Sequence, residues 1–160
     1  MGKALFAGTF DPITLGHLDL IERASQKYSQ VTVGIFCNPD KTCLFSSYDR
    51  SQMILAATSH LTNVQVVIGA GYTADFAKKH GCTLIRGYRD DVDLAYERDM
   101  AEFNFARGGV ETDLLPTSPD LERVSSTAVR EAYLAGDMER VESMVPPECF
   151  EILLALREKL

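Results

Sequence analysis

Apolar residues recur along this chain with two different periods. Short runs rich in β-branched and aliphatic residues, Lys3 to Ala7, Val31 to Phe36, Val64 to Ile68, Thr83 to Arg86 and Thr112 to Pro116, read as strands. After the first of them comes a turn, Gly8-Thr9-Phe10-Asp11-Pro12. Leu15, Leu18, Ile21, Ala24 and Tyr28 then fall near helical spacing and predict a helix. A loop from Cys37 to Ser47 leads to a second expected helix over Asp49 to His60, and others are expected over Thr73 to His80 and Asp90 to Ala106. Two or three helices close the chain, the last opening at Pro146-Pro147 and ending at Leu160. Strands that alternate with helices need crossover connections, and hence a parallel sheet covered on both faces. The pattern therefore predicts an α/β fold, one doubly wound domain over residues 1–160 with a parallel five-stranded sheet. In such a fold ligands bind beyond the carboxyl ends of the strands, where the strand order reverses.

The bulk properties agree with that picture and exclude others. At 160 residues the chain is long enough for one sizeable core and too short for two ordinary domains. No apolar run approaches the roughly 20 residues of a membrane span, and the apolar stretch after Met1-Gly2-Lys3 is too brief for a signal-peptide core, so a cytoplasmic location is expected. Gly2 hints at myristoylation, but Phe6 stands where Ser or Thr is needed. A net charge of −7 argues against a nucleic-acid or anionic-membrane surface, which needs clustered Lys and Arg. It leaves room for an anionic small molecule, which responds to the local field of a cleft. Cys37, Cys43, Cys82 and Cys149 form no C-x-x-C pair, so packed, reduced thiols are expected and no zinc site is indicated.

The candidate chemistry gathers at the predicted strand ends. In the first loop, Gly8 lets backbone approach a phosphate and Thr9 puts a hydroxyl where the sheet opens. Thr14 suits an N-cap, which places Gly16 and His17 in the first helical turn, where free N–H groups and the helix dipole favour anions. A His there can donate to a phosphoryl oxygen and stabilise charge that grows during transfer. The plainer alternative is a turn, a cap and a surface His. Lys41, in Asn38-Pro39-Asp40-Lys41, leaves the end of the second strand, although a lone loop Lys is usually solvated. Arg86 and Arg89 flank Gly87-Tyr88 at the end of the fourth strand, where two guanidinium forks could meet phosphate oxygens or merely pair with Asp90 or Asp91. Val124-Ser125-Ser126-Thr127 opens a helix with hydroxyls, which is either an oxyanion site or a simple cap.

Together these segments resemble a known family. G-T-F-D-P-I-T-x-G-H is similar to the first signature of the HxGH-type nucleotidyltransferase superfamily, with Thr14 at the first His, and is closest to the bacterial phosphopantetheine adenylyltransferases. Lys41 stands where that family has a Lys after N/S-P-x. R-G-x-R-x-x-x-D-x-x-Y-E, from Arg86 to Glu97, and V-S-S-T, near the family's I-S-S-S or I-S-S-T, follow in the same order. The likeness runs from Gly8 to about Glu131.

The resemblance implies a Rossmann-like nucleotidyltransferase fold, ATP with Mg²⁺, 4′-phosphopantetheine as acceptor, coenzyme A as a feedback ligand, and a homohexamer. It assigns ATP to Thr9, Phe10, His17, Gly87, Tyr88, Arg89, Glu97, Leu121, Glu122, Arg123, Val124, Ser125, Ser126 and Thr127. It assigns the acceptor to Thr9, Lys41, Thr73 and Arg86, with Ala74 and Phe76 as further candidates, and catalysis to His17, Lys41 and Arg89. No protein metal ligands are implied. Tyr88 replaces a usually aliphatic residue, Ala95 a frequent Glu, and Pro119 to Arg123 lacks the family's aromatic residues. Adenylyl transfer joins two anions and requires charge neutralisation and in-line placement, not a covalent nucleophile. The rivals are the same chemistry on another phosphorylated acceptor such as nicotinate mononucleotide, transfer from CTP, and a non-catalytic nucleotide-binding module.

Overall fold

The computed structural model describes residues 2–37 and 41–159. Asn38, Pro39, Asp40 and the expected end of the last helix at Leu160 lie outside the described residues. The described strands are β1 (Lys3–Gly8), β2 (Gln30–Phe36), β3 (Val64–Gly69), β4 (Cys82–Tyr88) and β5 (Thr112–Pro116). They form one parallel sheet in the order β3-β2-β1-β4-β5. Between and after them run α1 (Leu15–Lys27), α2 (Ser47–Ala57), α3 (Thr73–His80), α4 (Asp91–Gly108), α5 (Ser126–Ala135), α6 (Met138–Met144) and α7 (Pro147–Arg157), with a 3₁₀ turn at Pro119–Leu121.

The alternation of a strand explains the two-faced core. In β1, Ala4 and Phe6 face the layer of α1, α2 and α5 to α7, while Leu5 and Ala7 face the side where Ala77, Leu84 and Val110 pack. The central strands are buried on both faces, so the sheet is fixed as a rigid floor. The chain winds outward from β1 in both directions, so the switch point lies between β1 and β4. Their carboxyl ends carry the loops Gly8–Thr14 and Arg89–Asp90.

Several boundaries differ from the sequence pattern by one to three residues, and three of them have a visible cause. Helix α2 begins before Asp49 because the Ser46 hydroxyl accepts the Asp49 N–H at 3.0 Å. It ends before His60, where Thr58 turns its hydroxyl back onto the Ile54 carbonyl at 2.8 Å. Strand β4 runs two residues beyond Arg86, since Gly87 and Tyr88 stay paired with Leu115 and Pro116 of β5. That extension decides which way the site residues of this segment point.

Candidate functional site

Two cavities open at the switch point. The first, of about 390 Å³, lies between the β1–α1 loop, the end of β4 and the opening of α5; the second, of about 440 Å³, lies between β1, β2, β4 and the helices α3 and α4. Gly8, Thr9, Lys41 and Arg86 line both. A cationic floor is therefore common to two compartments of different character. The first collects His17, Arg89, Arg130 and the hydroxyls of Ser125 to Thr127, and the second adds Phe36, Leu84, Met100 and Ala101 to Thr73 and Asn104.

His17 is held by local geometry. Thr14 caps α1, and its backbone N–H donates to His17 Nδ1 at 3.0 Å while the His17 N–H donates to Thr14 Oγ1 at 3.4 Å. This is a capping box with imidazole in place of the usual Glu or Gln. Because Nδ1 accepts, the neutral ring must carry its proton on Nε2. Phe10 and Phe6 flank the ring, with centroids 5.0 and 6.1 Å away. Burial, and next the charge of Arg86, pull the imidazole down to about 4. His17 is thus a neutral Nε2–H donor at the wall of the first cavity. Phe10 reaches its place with φ of +50°, a left-handed conformation unusual for a bulky residue. Its ring is buried beneath His17, so Phe10 shapes the cleft from below.

Arginines are aimed by carboxylates. Arg86 donates from Nε and Nη2 to both oxygens of Glu97 at 2.9 Å, and from Nη1 to the Ala7 carbonyl at 3.0 Å. Desolvation opposes its charge, but the Glu97 fork prevails and raises its proton affinity. Arg89 Nε donates to Asp93 Oδ2 at 2.9 Å, and that bond holds the Asp93 carboxyl below its ordinary range. On the far wall, Ser125 caps α5 by accepting the Ala128 N–H at 3.0 Å. Ser126 donates to the Pro12 carbonyl at 2.7 Å, which fastens α5 to the first loop. The opening turns of α1 and α5 therefore converge on one cleft, two positive dipole ends facing the same volume.

Of the residues expected at ATP, Thr9, Phe10, His17, Gly87, Arg89 and Val124 to Thr127 line the first cavity. Four line neither cavity, and one lines the other. Tyr88 sits on the same strand face as Arg86, turned from the Gly87–Arg89 face by simple alternation. Leu121 belongs to the 3₁₀ turn, and Glu122 and Arg123 project into solvent. Glu97 lines the second cavity and not the first, with both carboxylate oxygens bound to Arg86. Lys41, Thr73 and Arg86, expected at the acceptor, line the second cavity, while Phe76 packs edge-on against Phe36 in the core and Ala74 is fully buried.

Sequence reasoning missed Asp11, Asp93, Thr117 and Arg130, all of which line the first cavity. Arg130 was within reach. It follows Ser126 by four residues, one helical turn along the same face, and its Nη1 donates to the Asp11 carbonyl at 2.8 Å. Asp93 likewise lies four residues after Arg89. His60 pairs with Glu22 at 2.7 Å, and His80 stacks on Phe76. Among the described residues, no group of three or more His, Cys, Asp and Glu could hold a metal ion, and no helix is long and apolar enough to cross a membrane.

Comparison with known proteins places this site in context. Residues 5–132 match the cytidylyltransferase-like family. Phosphopantetheine adenylyltransferases of Actinobacillus pleuropneumoniae serotype 5b (strain L20) and serotype 3 (strain JL03) are each 44% identical over 158 residues, covering 97% of this chain and 96% of the relative. Among solved structures, Plasmodium falciparum nicotinic acid mononucleotide adenylyltransferase complexed with NaAD superposes with a TM-score of 0.68 at 14% identity, covering 97% of this chain and 95% of that one. Thermotoga maritima TmcAL bound with alpha-thio ATP gives the same TM-score at 13% identity, over 99% of this chain and 56% of that one. At such identities the two structures share the Rossmann-like nucleotidyltransferase fold.

Proposed function

The chain belongs to the cytidylyltransferase-like family and, within it, to the phosphopantetheine adenylyltransferases, and on that premise we propose that its cleft transfers the adenylyl group of ATP to 4′-phosphopantetheine. The products are dephospho-coenzyme A and pyrophosphate. The observation that carries this reading is the pair of cavities over one cationic floor. One is lined by phosphate-binding chemistry, and the other is partly apolar, as the pantetheine arm requires.

In this reading the acceptor phosphate attacks the α-phosphorus and pyrophosphate leaves on the opposite side. Thr9 and Lys41, common to both cavities, orient the attacking phosphate, and Arg86, its guanidinium fixed by Glu97, adds the N–H groups that Glu97 and the Ala7 carbonyl leave free. His17 donates from Nε2 to the α-phosphate, where negative charge grows in the transition state. Arg89, Arg130 and the Ser125 to Thr127 turn take the β- and γ-phosphates. Mg²⁺ would enter with ATP as part of the co-substrate and would add to the charge neutralisation that Lys41, Arg86, Arg89 and Arg130 supply. Phe36, Leu84, Met100 and Ala101 line the path of the pantetheine arm.

The rest of the reading follows the family. The chain works as one domain, supported by α7, whose Cys149 thiol donates to the Met53 carbonyl of α2 at 3.1 Å. It assembles as a homohexamer in the cytoplasm and binds coenzyme A as a feedback ligand. Val92, Tyr96 and Phe103 on α4, exposed at helical spacing, supply an apolar face for assembly.

The test is direct. Purified protein with Mg-ATP should convert 4′-phosphopantetheine to dephospho-coenzyme A and release pyrophosphate. Faster adenylation of nicotinate mononucleotide at equal concentration would overturn the acceptor, and no turnover with either would overturn the enzyme.

A further inference from the structure

We propose that Arg50, which lines neither cavity, is a positioning residue for Lys41, and that it acts through a reciprocal brace with Asp11. The proposal rests on the role given above to Lys41.

Arg50 lies in the first turns of α2 and is 4% exposed. Its guanidinium spans three segments of chain. Nη1 donates to the Thr9 carbonyl at 2.9 Å and to Cys37 Sγ at 3.1 Å; Nε donates to the carbonyls of Phe45 at 3.0 Å and Ser46 at 3.3 Å. Asp11, 2% exposed, answers from the other side. Its carboxylate accepts the N–H groups of Leu44 at 2.8 Å and Phe45 at 2.9 Å. The first loop therefore sends a buried carboxylate onto two N–H groups of the second, and Arg50, at the start of α2, sends a buried cation back onto the Thr9 carbonyl of the first while it holds Cys37, Phe45 and Ser46 on its own side.

The result is a fixed distance between two loops. Thr9 is carried by the first, and Lys41 lies four residues before Phe45, one of the points that Arg50 grips on the second. Thr9 and Lys41 are two of the four residues common to both cavities. Burying two charges is an expensive way to pack a helix on a sheet, since apolar residues of similar volume often do as well or better. A planar fork with several donors gives what apolar packing cannot, a defined direction and spacing. Spacing is what the reaction demands, because a displacement of about 1 Å at a reacting group can lower turnover about a hundredfold.

The experiment is a double-mutant cycle of Arg50→Lys with Lys41→Ala in the full chain, read as kcat and KM for each substrate. Lysine keeps the charge but cannot reach four acceptors. We expect Arg50→Lys alone to lower kcat about ten- to a hundredfold, with KM for ATP within about threefold of wild type. In the Lys41→Ala background the same substitution should lower kcat less than about twofold, because the group it positions is gone. Equal losses in both backgrounds would make Arg50 a general structural residue and overturn the proposal, as would wild-type turnover in Arg50→Lys. Wild-type turnover in Lys41→Ala would overturn the role of Lys41 itself, a distinct pattern. If Arg50→Lys does not fold, Asp11→Asn takes its place. It leaves one of the two N–H groups without an acceptor, and the same non-additivity with Lys41→Ala is required.

Discussion

The protonation of His17 gives the sharpest quantitative expectation. A free imidazole takes its proton near pH 6.5, whereas burial, with the Arg86 charge as the second cause, holds that of His17 down to about 4. Protonating the native protein at this site therefore costs about 3 kcal/mol more than protonating the unfolded chain. The sign follows from linkage. As pH falls below 6.5 the unfolded chain binds the proton first, so stability falls at up to about 1.4 kcal/mol per pH unit, levelling off below about pH 4. Urea melts at intervals from about pH 7 to about pH 4, on wild type and on His17→Gln, isolate this term, since the carboxylates common to both chains cancel. The stability of wild type relative to the variant should shrink by about 3 kcal/mol across that range. A difference constant to within about 0.5 kcal/mol would refute the account. Nitrogen chemical shifts of the ring provide an independent reading: Nε2 should carry the proton at neutral pH, and a ring protonated on Nδ1 would contradict the bond from the Thr14 N–H.

Two further substitutions test the walls of the first cavity. Arg89→Lys keeps the charge but loses the fork, so ATP binding measured by calorimetry should weaken about ten- to a hundredfold. An unchanged dissociation constant would confine Arg89 to its pair with Asp93. Gly87→Ala would place a Cβ 2.5 Å from Leu20 Cδ1, forcing the α1 side chain off its site. It should destabilise the protein by about 1–3 kcal/mol and lower Tm by several degrees. An unshifted Tm would mean that Leu20 repacks without strain.

What the sequence disclosed divides along the range of the interactions involved. The strands and their alternation with helices are local, since β-branched runs and helical spacing write them directly into the chain. So is the Thr14–His17 cap, which spans three residues. The doubly wound sheet follows because parallel strands have few ways to be connected. The position of Glu97 was not legible in the same way. Glu97 meets Arg86 across eleven residues and the turn between β4 and α4, and β4 runs to Tyr88 paired with β5 some thirty residues further on. Asp11 illustrates the limit most plainly. In the sequence, Asp-Pro announces a turn, and nothing nearby reveals that its carboxylate binds N–H groups more than thirty residues away. Polar ties of that range leave no period to detect. Arg130 is a different case, since helical spacing from Ser126 would have located it.

The common floor of the two cavities also constrains the handedness of the reaction. In the proposed reading acceptor and triphosphate meet over Gly8, Thr9, Lys41 and Arg86, which line both cavities, so the attacking oxygen and the departing pyrophosphate would lie on opposite sides of one phosphorus. His17 cannot serve as an intermediate carrier, because its free nitrogen is occupied by the Thr14 N–H and the other bears a proton. On that reading the adenylyl group moves once, directly, and a stereogenic α-phosphorus such as a phosphorothioate should be delivered with its configuration inverted; retention would refute direct transfer.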